Sequence, residues 1–336
     1  MLKRFLPDIY NESIFTINYK KLKNKGIKCL LFDLDNTISP AKEVILYKET
    51  KKLFDTLKKD FKIILFSIFG CNENKNSSDK LQVYASIYPI YDFVKKIGGE
   101  KIEVYNMTSA GAEPHDFEIT SKDMANLSKA DLFIYNGGGM EHWIDAIKDA
   151  LKDLKYIDAS SNIDNQNNLD PHFWLSPKNA KIQIENIKNG LIEIDSDNKN
   201  YYQSNYNLYA NRLDELDNKI KISLSNIKNR NLIITHPAFG HFCKEYSLNQ
   251  IAIARDEADP KAMADIITFI KNNNVKAIFY EEFSSSKLVD SIAKETKAKT
   301  LTLNPIESLS KENIEAGEDY FSIMEKNLIS LTNGLN

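Results

Sequence analysis

From residue 80 onward, short apolar runs alternate with stretches whose apolar positions recur at helical spacing. Strands are predicted at 81–87, 102–107, 131–136 and 156–158. Helices are predicted at 88–97 and 121–130, with another beginning near His142. Gly98-Gly99 supplies a helix C-cap, and Thr120 an N-cap. An Asn-rich loop covers 162–168, and 177–227 carries no strand signal. Within it, 198–227 keeps helical spacing throughout, with Tyr206, Leu208, Leu213, Leu216, Ile220, Ile222 and Leu224 among its apolar positions. Such a helix would be about 45 Å long at 1.5 Å per residue. The alternation then resumes, with strands at 231–235, 249–254, 275–280 and 300–303 and helices at 260–272, 287–297 and 318–332. Strands and helices alternating in this way indicate parallel sheets covered on both faces. The expected architecture is α/β: two parallel-sheet lobes, 80–190 and 229–336, joined by a long rigid helix at 191–228.

Residues 1–67 read as a separate piece. A buried-strand pattern at 26–32 runs into Asp33-Leu34-Asp35-Asn36-Thr37, and a second apolar run begins at Phe61. That run ends in Ile68-Phe69-Gly70-Cys71, with Lys58 and Lys59 before it and a polar stretch, 72–78, after it. It reads either as a buried strand or as a lipoprotein signal end with Cys71 as the lipidated residue. Phe69 stands where a small residue is usual, and the run starts about sixty residues too late for a secretory signal. Residues 68–79 are thus a lipobox-like junction and linker.

Composition narrows the function classes. The 336-residue chain is 42% hydrophobic and 27% charged, which suits a globular protein of two or three domains. A net charge of -3 offers no basic patch for nucleic acid. Cys29, Cys71 and Cys243 are too scattered for a disulfide framework or a zinc knuckle. No apolar run is long enough for a membrane-spanning helix.

The histidines change the picture. Three of the five lie beside a proline: Glu113-Pro114-His115-Asp116, Asp170-Pro171-His172-Phe173-Trp174 and His236-Pro237-Ala238-Phe239-Gly240. Proline stiffens the backbone that carries each ring. Each ring also follows a predicted strand. Neutral imidazoles suit Zn2+, and three of them with one carboxylate complete a tetrahedron.

Two resemblances attach to these residues. Asp-x-Asp-x-Thr after a strand resembles the first motif of haloacid-dehalogenase-type (HAD) phosphatases. The opening of the chain resembles the YqeG-like branch of that superfamily, with Ser67 as the hydroxyl of its second motif. This implies Asp33 as nucleophile, Asp35 as proton carrier and Mg2+ between them. The lysine motif and later acidic motif that the superfamily needs are missing, so 1–67 reads as a truncated, HAD-like fragment, either fused or misjoined in frame.

Residues 80–336 are similar to the metal-binding cluster of ABC-transporter solute-binding proteins, in its zinc-uptake branch (ZnuA-like, AdcA-like, TroA-type fold). The stretches that carry this are Ala112-Glu113-Pro114-His115-Asp116-Phe117-Glu118, Tyr135-Asn136-Gly137 with Met140-Glu141, Asp170 to Trp174, His236 to Gly240, and Thr302-Leu303-Asn304-Pro305-Ile306-Glu307. The resemblance implies metal ligands at His115, His172, His236 and Glu307, with Glu281 and Glu282 as competing carboxylates for the fourth place, and Zn2+ as cargo with Mn2+ as the alternative. It also implies an ABC permease and its ATPase as partners, a monomer, and an extracytoplasmic place, either periplasmic or anchored through Cys71. His142 and His241 are expected at the surface or behind the ligands. Tyr135, Asn136 and the acids beside each histidine are candidates to orient the imidazoles. The loop 162–168 has no histidine where zinc-uptake members often carry several. The expected role is capture, not catalysis. The competing readings are a Mg-dependent phosphatase through Asp33 and Asp35, and a metallohydrolase using the same four ligands with one position open.

Overall fold

The computed structural model describes residues 14–33, 48–66, 80–164, 170–253, 260–281 and 287–336. The chain forms two compact units, Met1–Ser78 and Asp79–Asn336. In the first, α1 (Tyr19–Asn24) is capped by the Asn18 side chain, and β1 (Cys29–Asp33), α2 (Lys48–Leu57) and β2 (Lys62–Phe66) follow. β1 and β2 pair in parallel, and Ile14, Phe54, Leu57 and Phe61 form a small core. Asp33 closes β1, but its side chain, Asp35, Ser67 and Cys71 lie outside the described residues.

The second unit contains two four-stranded parallel sheets. The first lobe runs β3 (Leu81–Ala85), α3 (Tyr88–Gly98), β4 (Ile102–Asn106), α4 (Ser121–Leu127), β5 (Leu132–Tyr135), α5 (Ile144–Ala150) and β6 (Lys155–Asp158), with strand order β4-β3-β5-β6. Two helices follow, α6 (Pro177–Ile194) and α7 (Lys199–Leu224). The second lobe runs β7 (Asn231–Ile234), α8 (Gly240–Tyr246), β8 (Asn249–Ala252), α9 (Pro260–Asn272), β9 (Ala277–Tyr280), α10 (Lys287–Thr296), β10 (Lys299–Thr302), α11 (Lys311–Glu315) and α12 (Tyr320–Leu335). Its strand order is β10-β9-β7-β8.

The two-residue period of a strand explains why both sheets are covered on both faces. In β5, Leu132 and Ile134 enter a central core, while Phe133 and Tyr135 enter an outer one with Trp143 and Ile147. In β7, Leu232 and Ile234 face the central core and Ile233 faces a separate outer one with Ile270 and Ile278. The central core is continuous across both lobes. It takes Phe93 and Ile97 from α3, Ile184 and Ile187 from α6, Leu213 and Ile220 from α7, and Tyr320 and Leu331 from α12. Two lobes that share one packed core slide little against each other.

The helical stretch differs from its sequence reading in one respect. It is two helices packed along each other, so the expected boundary at 190/191 falls inside α6. Ser176 caps α6 and Pro177 takes its first turn. A single 3-10 turn, Ser196–Asn198, separates it from α7, with the Asp195 carboxylate accepting from Asn198 and from the Tyr202 hydroxyl. Gly190 lets α6 lie close to β6, because a Cβ there would meet Ile157 at 2.5 Å. α7 has 26 residues and is about 39 Å long. Its buried stripe is Leu213, Leu216, Ile220 and Leu224, and Leu208 and Ile222 point out to solvent.

α3 and α12 are joined by a clasp. Lys96 Nζ lies 2.6 Å from Asp92 and 3.0 Å from Asp319, and the Tyr320 N–H donates to Asp92 at 3.2 Å. Asp319 also caps α12.

Candidate metal centre

Every candidate donor sits in a segment that follows the carboxyl end of a strand, the end where ligands gather in open α/β sheets. β4 leads to His115, which lies in a 3-10 turn, Pro114–Asp116. β6 leads to His172, which opens another, Phe173–Leu175. β7 ends two residues before His236, and β10 leads to Glu307. The four side chains, far apart in sequence, converge so that one donor atom from each lies within 4.8 Å of the others. His172 Nε2 is 3.2 Å from His115 Nε2, 3.2 Å from His236 Nε2 and 2.7 Å from Glu307 Oε1. Glu307 Oε1 is 3.0 Å from His236 Nε2 and 3.7 Å from His115 Nε2. Donors held about 2.0–2.1 Å from one ion at tetrahedral angles lie about 3.3 Å apart, so these spacings fit a zinc-sized tetrahedron. His172, His236 and Glu307 are buried, and His115 is half-buried and forms the solvent edge.

The surrounding residues fix these groups. Asp170 Oδ1 accepts from His172 Nδ1 at 2.7 Å and from its backbone N–H at 3.0 Å, which leaves Nε2 free to face the centre. Asn136 Nδ2 donates to the Pro171 carbonyl, and its Oδ1 accepts from Gln183. Buried Glu141 accepts from the backbone N–H groups of Asn136 and Gly137. The loops from the two lobes are tied directly: Trp174 Nε1 donates to the Pro305 carbonyl, and the Tyr320 hydroxyl to the Trp174 carbonyl, each at 2.7 Å. Ile306 has φ of +61°, which is unusual for a β-branched residue, and it aims the next side chain, Glu307, inward. Asn304 Oδ1 accepts from the Ile306 N–H, and Asn327 holds Asn304 at both its N–H and its carbonyl.

Electrostatics follow from this geometry. Burial works against the charged form of Glu307, but the nearby rings of His115, His172 and His236 outweigh it and hold the carboxyl well below the usual range. Burial likewise disfavours His172 imidazolium, yet Asp170 and Glu307 raise its pKa to about 9. Glu113 is pushed up by burial and by the charge of Glu307.

The other candidates fall elsewhere. Glu281 follows β9 and approaches His236 from its Nδ1 side at 3.7 Å, too long for a hydrogen bond. His142 is exposed and faces Glu118. Tyr135 receives a hydrogen bond from Lys148. Asn136 holds the Pro171 carbonyl instead of an imidazole. Glu282 and Asp35 lie outside the described residues. Sequence reading missed the Trp174–Pro305 tie and the Ile306 conformation, neither of which leaves a local signal in the residue order.

The chain is similar to known zinc-uptake proteins over most of its length. The family described as "Zinc-uptake complex component A periplasmic" matches residues 83–334. The high-affinity zinc uptake system protein ZnuA of Bacillus subtilis is 36% identical over 300 residues, covering 81% of this chain and 94% of that protein. The zinc-binding lipoprotein AdcA of Streptococcus pneumoniae is 33% identical over 288 residues, 79% of this chain, and the match spans only 58% of AdcA. Among solved structures, the metal-dependent lipoprotein YcdH of Bacillus subtilis superposes with a TM-score of 0.72 at 38% identity, covering 76% of this chain and 100% of that one. The Zn(II)-bound ZnuA-like domain of pneumococcal AdcA gives 0.71 at 34%, covering 76% and 99%.

Proposed function

The chain belongs to the periplasmic zinc-uptake complex component A family, and from that premise we propose that it captures one Zn2+ through His115, His172, His236 and Glu307 and delivers it to an ABC importer. The observation that carries the reading is the meeting of four donors from four strand ends and both lobes. Three imidazole nitrogens and one oxygen favour Zn2+ over Mn2+, which prefers harder oxygen sites. The protein binds and carries; it is not an enzyme. Four protein ligands leave no open position for an activated water. In this reading the permease and its ATPase are the partners, the site of action is extracytoplasmic, and the working form is a monomer. A lipid on Cys71 would tether it, and intact-mass measurement of the native product tests that.

The test of function is competition titration with a chromophoric chelator. One Zn2+ per chain, undisturbed by equimolar Mn2+, is expected; failure to retain zinc, or a preference for Mn2+, contradicts the reading. The leading fragment takes no part, so Asp33→Asn and Asp35→Asn should leave zinc affinity unchanged.

A pH dependence follows from His172. Metal requires a neutral ring, and in the metal-free protein that ring is protonated until about pH 9. Loading therefore expels a proton, and affinity should rise about tenfold per pH unit between about pH 7 and about pH 9. Affinity that stays flat over that range, measured with a chelator calibrated at each pH, contradicts it.

A further inference from the structure

We propose that His241 is a positioning residue for the metal centre: from the second lobe it fixes the Asp170 main chain and, through Asp170, the orientation of His172. The inference rests on the reading of His172 as a zinc ligand. Each of the two carbonyls before His172 is taken by a side chain. Within the first lobe, Asn136 Nδ2 donates to the Pro171 oxygen at 2.9 Å. From the second, His241 Nε2 lies 2.9 Å from the Asp170 oxygen. A carbonyl only accepts, so Nε2 must carry the proton. The His241 ring also packs on Phe173, with centroids 4.8 Å apart, so the donor is held in place. The preceding residue closes the other side of Asp170: a Cβ at Gly240 would collide with its carboxylate. Asp170 in turn grips His172 at Nδ1 and at the backbone N–H.

Residues 236–241 thus deliver a donor to the centre and also hold the loop that presents a donor from the opposite lobe. Losing the His241 donor leaves all four candidate ligands in the chain. It loosens the one ring whose Nε2 lies within 3.2 Å of the other three donor atoms. The binding energy of the ion thereby depends on the contact between lobes as well as on its ligands.

The test compares two substitutions in the full chain. His241→Phe keeps a ring on Phe173 and removes the donor; His241→Gln removes the ring and keeps an N–H near the Nε2 position. The zinc Kd of His241→Phe should rise about tenfold, the low end of the cost of losing an outer partner of a metal ligand, while His241→Gln stays within about twofold of wild type. The visible spectrum of the Co2+-loaded protein should change in the first and match wild type in the second. An unchanged Kd in His241→Phe, or equal losses in both, overturns the role of His241. Wild-type titration keeps the two claims apart: if wild type itself does not hold zinc, it is the ligand reading that fails. Thermal unfolding without metal checks folding. Should a variant not fold, nitrogen-15 spectra of wild type decide, since an unprotonated His241 Nε2 overturns the proposal.

Discussion

Replacing His172 by alanine should weaken zinc binding more than a hundredfold, beyond the roughly tenfold to hundredfold that outer-partner losses cost. The reason is its place in the geometry. Its Nε2 lies within 3.2 Å of each of the other three donor atoms, so it is common to the closest pairs of the cluster. The effect is readable as heat stability. At a zinc concentration about a thousandfold above the wild-type Kd, binding stabilises the folded state by about 4 kcal/mol. For a unit of this size that is roughly 8–16 °C in Tm. At the same zinc concentration a hundredfold weaker variant keeps only about 1.4 kcal/mol of it. The metal-free proteins should differ in a pH-dependent way. The raised pKa of His172 contributes stability that is fully present below about pH 6.5 and is lost as pH rises through about 9. The advantage of wild type over His172→Ala without zinc should therefore shrink across that window. Equal zinc-induced shifts in both proteins would show that His172 is not a ligand.

Lys96→Ala should destabilise the second unit by about 3–5 kcal/mol, the usual cost of removing one partner from a buried ion pair. In Tm this is a fall of roughly 6–20 °C. Lys96 sits between two carboxylates, Asp92 from its own helix and Asp319 from the second lobe. Its removal strands Asp92, whose side chain is 8% exposed. Burial already pushes the Asp92 carboxyl up, and Lys96 is the main opposing influence. The stranded carboxylate would still accept from the Tyr320 N–H, so the start of α12 should loosen along with the core around Phe93 and Tyr320. Replacing both members of the pair by apolar residues, Asp92→Leu with Lys96→Met, should recover much of the loss, because no charge is then left buried. Chemical denaturation of wild type and the two variants measures this, and a Lys96→Ala loss below 1 kcal/mol, the level of a surface pair, would show that the clasp is solvated.

Much of the fold was legible because its signals are local. Helix α9 begins at Pro260 and ends at Asn272, where helical spacing predicts it. Thr120 caps α4 in a capping box with Asp123, and Gly99 ends α3 with positive φ. Strand positions were readable from apolar runs, although single-residue ends were not: β8 stops at Ala252 and β9 starts at Ala277. The start of α7 at Lys199 was readable from spacing that begins at 198, but the joining helix expected at 191–228 ran across the turn, which Asp195 makes by binding Asn198 and Tyr202 only once the chain has turned. Short helices α8 and α11 were missed for another reason, since a turn or two of helix owes its stability to packing rather than propensity.

At the site, proline-flanked histidines after strands are a pattern that residue order can carry. That they converge is not, because convergence depends on sheet order and on ties such as Trp174 to Pro305. The left-handed Ile306 is the sharpest instance. Nothing in Pro305-Ile306-Glu307 announces positive φ at a β-branched residue, yet it is that conformation which turns Glu307 toward the three rings.

X-ray absorption at the zinc edge of the loaded protein reads the ligand set itself. One zinc with four light-atom neighbours at about 2.0–2.1 Å and multiple scattering from three imidazoles is expected. A sulfur neighbour at about 2.3 Å, or scattering from fewer than three imidazoles in the wild-type chain, would contradict it.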